Sequence, residues 1–240
     1  MEARSLPDTK SGNRLLDSLP PSTRLRVLAN AREVALRSRD VLREPGGKLR
    51  FAYFPVDCVI SLVVQMRDGT GIEAATVGRE GLVGVSVFLG AEDLTRTRVV
   101  CQVPGRAWRI APDVLLREAE RSRSLRSLLG AYTQALFTQI EQSVGCNRLH
   151  GVEARCARWL LQSHDRSGRD EFHLTQEFLA MMLGVRRASV TVAAGALQRA
   201  GLIRYRRGVV RVEDREGLEA LACECYATVR SVYDRVAPVA

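Results

Sequence analysis

Lysine is nearly absent from this chain of 240 residues, standing only at Lys10 and Lys48. The net charge of +9 and the isoelectric point near 9.8 are therefore carried by arginine. A basic total favours polyanionic partners. An arginine bias also follows from genome base composition, so where the arginines cluster says more than their sum. Long apolar runs are missing as well. No stretch reaches the roughly 18 apolar residues of a membrane-crossing helix, and the polar opening MEARSLPDTKSGN has no apolar signal core. Both absences point to a cytoplasmic protein with no membrane partner. The six cysteines, Cys58, Cys101, Cys146, Cys156, Cys223 and Cys225, are too scattered for a disulfide scaffold. Catalytic signatures are missing too: there is no Walker loop, no Gly-x-Ser-x-Gly, no His-Glu-x-x-His and no zinc-ligand spacing, so the chain is not read as an enzyme. The glycine-rich run 78–84 lies between β-type runs without a strand-to-helix fingerprint and reads as turns.

Acidic residues are absent in one place where arginine is dense. From 178 to 212 there is no Asp or Glu, but there are seven arginines: Arg186, Arg187, Arg199, Arg204, Arg206, Arg207 and Arg211. The same stretch has a definite local grammar. Thr175 is a good N-cap, and Glu177 suits the first turn of a helix dipole. Leu179, Leu183, Val185 and Val190 sit where two packed helices need apolar contacts, Ala180 is small where they approach, and Gly184 can take the positive φ of a turn. A second helix follows over 187–199. Beyond Gly201, 202–206 and 209–212 are β-type runs joined at Arg207-Gly208, a hairpin signal. Two helices and a hairpin of this kind make a winged helix-turn-helix, and a basic groove-sized helix and wing form the electrostatic footprint of phosphate binding. A solvated arginine face on an ordinary helical hairpin is the plainer alternative.

The rest of the chain changes period twice. Residues 1–13 read as a mobile tail. Leu15, Leu16 and Leu19 before Pro20-Pro21 suggest a short helix, and 22–31 carries a weak helical pattern. From Val34 onward, short β-rich runs at 34–36, 41–42, 51–54, 59–66, 72–77, 99–103 and 106–110 are separated by turn signals such as Pro45-Gly46-Gly47 and Asp68-Gly69. Many short strands without helices between them predict an antiparallel barrel or jelly roll. Helix returns at 113–147, with a long piece from about 124. Leu125, Leu129, Tyr132, Leu136, Ile140 and Val144 recur every three or four residues along it. That stripe is read as the seam of a two-helix dimer over 124–147; the alternative is a stripe packed on its own barrel. A helix over 150–162, a polar connector over 163–170 and one final helix over 216–235 complete the chain. The fold class is α+β: a β jelly-roll or barrel domain over 14–123, a long dimerisation helix over 124–147, and a winged helix-turn-helix domain over 148–240.

This order of parts resembles the Crp/Fnr family of bacterial transcription regulators. Glu44-Pro45-Gly46, Tyr53-Phe54-Pro55 and Gly78-Arg79-Glu80-Gly81 look like that family's effector domain. The segment from Cys146 through Leu161, then Leu174 to Tyr205, looks like a particular subset of that family. The resemblance implies a homodimer whose second helices enter successive major grooves of double-stranded DNA, with RNA polymerase as a further partner. It also implies an effector pocket, for which Gly78, Glu80, Gly81, Arg96 and Arg98 are the candidates. Two departures restrict the cofactor. The Gly-Glu and Arg-Ser/Thr-Ala motifs that clasp a cyclic nucleotide are not both present, so a cyclic nucleotide is not expected. No cysteine precedes Cys58, so the family's N-terminal iron–sulfur site is not expected either. The effector is left unassigned, and a ligand-independent DNA-binding protein with a scaffold barrel is the alternative function. Cys223-Glu224-Cys225 reads as packing residues on the last helix, where the two sulfurs would point about 200° apart; a metal or redox pair is the other reading, and no metal ligand set is assigned.

The recognition helix departs from the family's best-known pattern, with Ala188 and Val192 where a glutamate and an arginine commonly read bases. Arg186 or Arg187 can still contact guanine, and Val192 or Ala188 a thymine methyl. Ser189 and Thr191 suit phosphate or mixed contacts. Gln176 is a phosphate candidate, and Arg206 and Arg207 belong to the wing.

Overall fold

The computed structural model of the chain describes residues 10–91 and 96–238. Most of the expected tail lies outside the described residues. Its last residues are anchored: Asn13 caps helix α1 (Arg14–Asp17), and its side-chain amide donates to the carbonyls of Pro55 at 2.8 Å and Gly81 at 3.0 Å. The Trp108 indole donates to the Ser11 carbonyl. Helix α2 (Pro21–Ala29) starts with proline at its first turn, where the missing N–H costs nothing.

Seven strands follow at the positions marked by the apolar runs: β1 (Arg32–Leu36), β2 (Val41–Arg43), β3 (Ala52–Pro55), β4 (Val59–Gln65), β5 (Gly71–Val77), β6 (Arg98–Val103) and β7 (Gly105–Ile110). They form two antiparallel sheets, in the orders β1-β7-β3 and β2-β6-β4-β5. Leu36, Tyr53, Cys58, Ile60, Val77, Val99 and Cys101 fill the space between them. The β4–β5 hairpin turns at Gly69, whose φ of +84° is one that a side chain resists. A short helix α3 (Val85–Phe88) follows the glycine-rich run.

Helix α4 (Pro112–Arg121) and the long helix α5 (Arg123–Leu149) lead out of the barrel, and Ser122 caps α5. The stripe read as a dimer seam faces the other way. Leu125, Leu129, Tyr132 and Leu136 are at most 8% exposed, and Ile140 is half-buried. Their cover comes from the same chain. The last helix, α10 (Cys225–Val236), folds back along α5, placing the Tyr233 ring 6.1 Å from that of Tyr132. An apolar stripe shows that something covers a helix, not which segment does so. The outward face of α5 carries Phe137, 55% exposed, and Val144, 70% exposed.

Helix α6 (Val152–Ser167) runs five residues past the expected end and stops at Gly168 in the left-handed conformation. The helix pair α7 (Gln176–Leu183) and α8 (Arg187–Arg199) follows, then β9 (Ile203–Arg206) and β10 (Val209–Val212). A third strand, β8 (Glu171–His173), pairs with β10, so the wing sheet has the order β8-β10-β9. Polar Glu171 and His173 flank Phe172 in too short a run to read as a strand. The expected single last helix is broken into α9 (Arg215–Leu221) and α10, because Ala222 leaves helical geometry at ψ 148°. No single helix is long and apolar enough to cross a membrane among the described residues.

One apolar cluster joins the barrel to the C-terminal domain: Val59, Val63, Val100 and Val103 pack with Trp159, Leu160, Leu179 and Met182. Polar contacts at this junction are buried too. Arg166 of α6 donates to Glu80 at 2.7 Å, to Gln139 of α5 at 3.2 Å and to Thr76 of β5. Glu73 of β5 accepts from the Trp159 indole at 3.0 Å and from Ser61 at 2.8 Å.

Candidate nucleic-acid interface

Thr175 holds the start of α7 by accepting from the Phe178 amide at 3.2 Å. Gly184, at φ +61°, closes the helix, and the chain then turns through 107° into α8, within the range of helix-turn-helix pairs. Leu179, Ala180, Leu183, Val190, Ala193 and Leu197 bury the facing sides of the two helices. Close packing on one side leaves the other side of α8 in solvent.

That outer side carries most of the candidates. Arg186, Arg187, Thr191 and Val192 are exposed, Val192 at 70%, and Ser189 and Gln176 are half-buried. Thr191 Oγ1 donates to Gln176 Oε1 at 2.9 Å, so the two helices are tied at this face. The N-cap residue of α8, Arg186, makes no capping hydrogen bond with its side chain among the described residues. The first amides of α8 are left unpaired by the helix, an arrangement that suits a phosphate.

The wing turns at Arg207 and Gly208, whose φ values are +51° and +76°. Two positive φ values in a two-residue loop match the right-handed twist of the flanking strands. Arg206 and Arg207 are exposed at this tip. Thr175, Gln176, Glu177, Arg187, Tyr205, Arg207 and Gly208 line one concavity between the helix pair and the wing. The Tyr205 hydroxyl donates to the Leu174 carbonyl at 2.7 Å, and burial pushes its pKa up to about 12, so it stays a neutral part of that wall.

The seven arginines divide by pairing. Arg204 and Arg211 reach Glu213 at 3.0 and 3.8 Å. Arg186, Arg187, Arg199, Arg206 and Arg207 make no ion pair among the described residues. An exposed cation without an internal acid keeps its charge for an external anion. Glu213, the acid that makes this division, lies just beyond the acid-free stretch, and only the fold of the wing brings Arg204 and Arg211 to it.

The effector-pocket candidates do not converge. Glu80 is 4% exposed and bound to Arg166. A side chain at Gly78 would collide with Arg166, and one at Gly81 with Tyr132, so both glycines exist for close helix packing. Arg96 lies exposed beside the Gly46 turn, and Arg98 pairs with Glu44 at 3.2 Å. The contacts of Glu73, Glu80 and Arg166 escaped the sequence reading because no local pattern links residues some 90 positions apart.

A potential ligand set lies elsewhere. The break between α9 and α10 brings Cys223 and Cys225 to Cys146 and His150 at the end of α5. The 200° separation would have required an unbroken helix. The sequence did hold a signal: Cys146 and His150 stand four residues apart, the spacing of one helical face.

Residues 154–221 match the family model of the Crp-like helix-turn-helix domain. No curated protein sequence matches the chain. Several solved structures do match in fold. A Crp/Fnr-family transcriptional regulator from Eubacterium rectale aligns with a TM-score of 0.64 and 15% identity, over 88% of this chain and 99% of its own. FixK2 from Bradyrhizobium japonicum gives 0.65 and 16%, over 80% and 98%. CLP from Xanthomonas campestris, a global regulator responsive to c-di-GMP, gives 0.62 and 18%, over 80% and 99%. At these identities the likeness shows the shared fold.

Proposed function

We propose, on the premise that residues 154–221 are a Crp-like helix-turn-helix domain within a Crp/Fnr-type fold, that this chain is a cytoplasmic, sequence-specific transcription regulator that binds double-stranded DNA as a homodimer. The observation that carries the reading is the division of the arginines. Five without acid partners crowd the recognition helix and wing. The chain divides into an effector-type barrel to about residue 123, the long helix, and the DNA-binding domain from about 148. Two of the similar solved structures, those from Eubacterium rectale and Xanthomonas campestris, are of regulators, which accords with a binding protein and not an enzyme.

In this account α8 lies in the major groove. Arg186 and Arg187 read guanine, and Val192 contacts a thymine methyl. Ser189 and Thr191 make mixed contacts. Gln176, Arg206 and Arg207 hold phosphates, which fix the register without reading sequence. The dimer seam is the outward face of α5. Phe137, Ile140 and Val144 are spaced by three and four, close to coiled-coil spacing. RNA polymerase is the remaining partner. For the barrel, the ligand-independent reading is favoured at the Gly78–Gly81 run, because Glu80 is committed to Arg166 and Gly81 to Tyr132.

Fluorescence anisotropy on labelled duplexes across a salt series tests the interface. Binding should weaken steeply with salt, and Arg207→Ala should lower the slope by about 1 in log–log terms. A slope unchanged in Arg206→Ala, Arg207→Ala and Arg187→Ala alike would exclude this face.

A further inference from the structure

We infer that Cys146, His150, Cys223 and Cys225 form a structural zinc site that staples the end of the long helix to the back of the DNA-binding domain. The four donor atoms lie within 4.8 Å of one another. Cys146 Sγ is 3.5 Å from Cys223 Sγ, and Cys225 Sγ is 3.4 Å from His150 Nδ1. Tetrahedral zinc, with bonds of about 2.3 Å to sulfur and 2.0–2.1 Å to nitrogen, needs donors roughly 3.5–3.8 Å apart. The set therefore fits one ion after a small contraction. It is too compact to surround an iron–sulfur cluster, whose ligands must enclose several atoms. It is also not a disulfide, because the sulfurs are far beyond bonding distance.

The surroundings match a closed site. Cys146, Cys223 and Cys225 are 1%, 6% and 1% exposed. Four protein donors leave no open position, as structural sites require. A zinc-ligating histidine usually gives its other nitrogen to a carboxylate, and here His150 Nε2 faces Glu224 Oε1 at 3.1 Å. Gln142 Nε2 donates to Cys225 Sγ at 3.1 Å, as a bound thiolate would accept. Three thiolates, a neutral imidazole and a divalent ion leave one negative charge over. Arg155 and Arg158 stand within electrostatic range of Cys146. Both are buried with Nε unpartnered, and neither makes an ion pair among the described residues. A buried anionic centre would supply the counter-charge that Arg155 lacks and add to that of Glu73, which also lies within electrostatic range of Arg158.

His150 ends α5, and Gly151 opens α6. Zinc joining His150 to the α9–α10 break would fix the angle at which the DNA-binding domain leaves the long helix. That consequence, zinc-dependent DNA affinity, rests on the proposed DNA-binding function; the metal site itself does not.

The test uses the whole chain purified under reducing conditions. Elemental analysis should give about one zinc per chain. Cobalt replacement should give thiolate charge-transfer and tetrahedral ligand-field bands. Cys146→Ser and Cys223→Ser should lose metal and bands together. His150→Cys, which keeps four donors, should retain the ion with a shifted cobalt spectrum, which guards against variants that merely misfold. Glu224→Gln should weaken zinc affinity about 10–100-fold. A metal-free protein that takes up neither zinc nor cobalt overturns the site, as does a Cys146–Cys223 disulfide found in place of metal. Stoichiometric zinc whose removal leaves operator affinity unchanged overturns the regulatory consequence alone.

Discussion

Glu73 gives the barrel–domain junction a measurable pH dependence. Its carboxyl is buried between β4, β5 and α6, accepting from Ser61 and from the Trp159 indole. Burial raises its pKa from the ordinary 4.5 to about 7, against the opposing pull of those hydrogen bonds and of Arg158 and Arg166. A carboxyl whose folded pKa is raised favours the protonated folded state. Its stabilising contribution is full below about pH 4.5 and is lost as pH rises to about 7. At 1.36 kcal/mol per unit, the loss is about 3 kcal/mol. Glu73→Gln keeps the shape and an acceptor for Trp159 but does not titrate. Urea unfolding of both proteins across this range, at constant ionic strength, isolates Glu73, because the other groups cancel in the difference. The variant should match wild type near pH 4.5 and exceed it by about 3 kcal/mol near pH 8. A difference that stays flat with pH would refute the reasoning.

Removing the Arg166 side chain as Arg166→Met strands buried Glu80 and should cost about 3–5 kcal/mol in chemical denaturation; adding Glu80→Gln should recover part of it, and no recovery would mean that packing alone matters. Arg187→Ala should reduce discrimination between specific and random duplexes by about 1–3 kcal/mol in competition binding, and unchanged discrimination would remove Arg187 from the reading set. Phe137→Glu should yield folded monomers by sedimentation, whereas Leu136→Glu, at a position only 8% exposed, should lower thermal stability. A Phe137→Glu dimer would place the interface elsewhere.

Much of the fold was legible because the relevant signals are local. Each barrel strand announces itself by a β-rich run and a turn, and Thr175, Gly184 and Arg207-Gly208 mark the helix pair and wing by their own backbone demands. The seam was misassigned for a physical reason. Leu125, Leu129, Tyr132 and Leu136 carry the expected period, but all four are buried within the chain, the first three in a cluster with Leu15 and Leu16 of α1, Leu115 of α4 and Val229 and Tyr233 of α10. The pocket reading failed similarly, since Glu80 and the glycines around it answer to Arg166 and Tyr132, partners that no spacing encodes. Cys223 and Cys225 were placed on a continuous helix because nothing local, neither proline nor glycine, stops it at Ala222.

The central claim is that α8 and the wing read DNA from a two-fold dimer. Selection of genome fragments on the purified protein, with sequencing of what is retained, tests it most directly. The account predicts a shared inverted repeat with half-site centres about one helical turn, roughly 10 base pairs, apart. Retention of fragments with no shared motif, or no retention above that of an Arg186→Ala/Arg187→Ala variant, would contradict it.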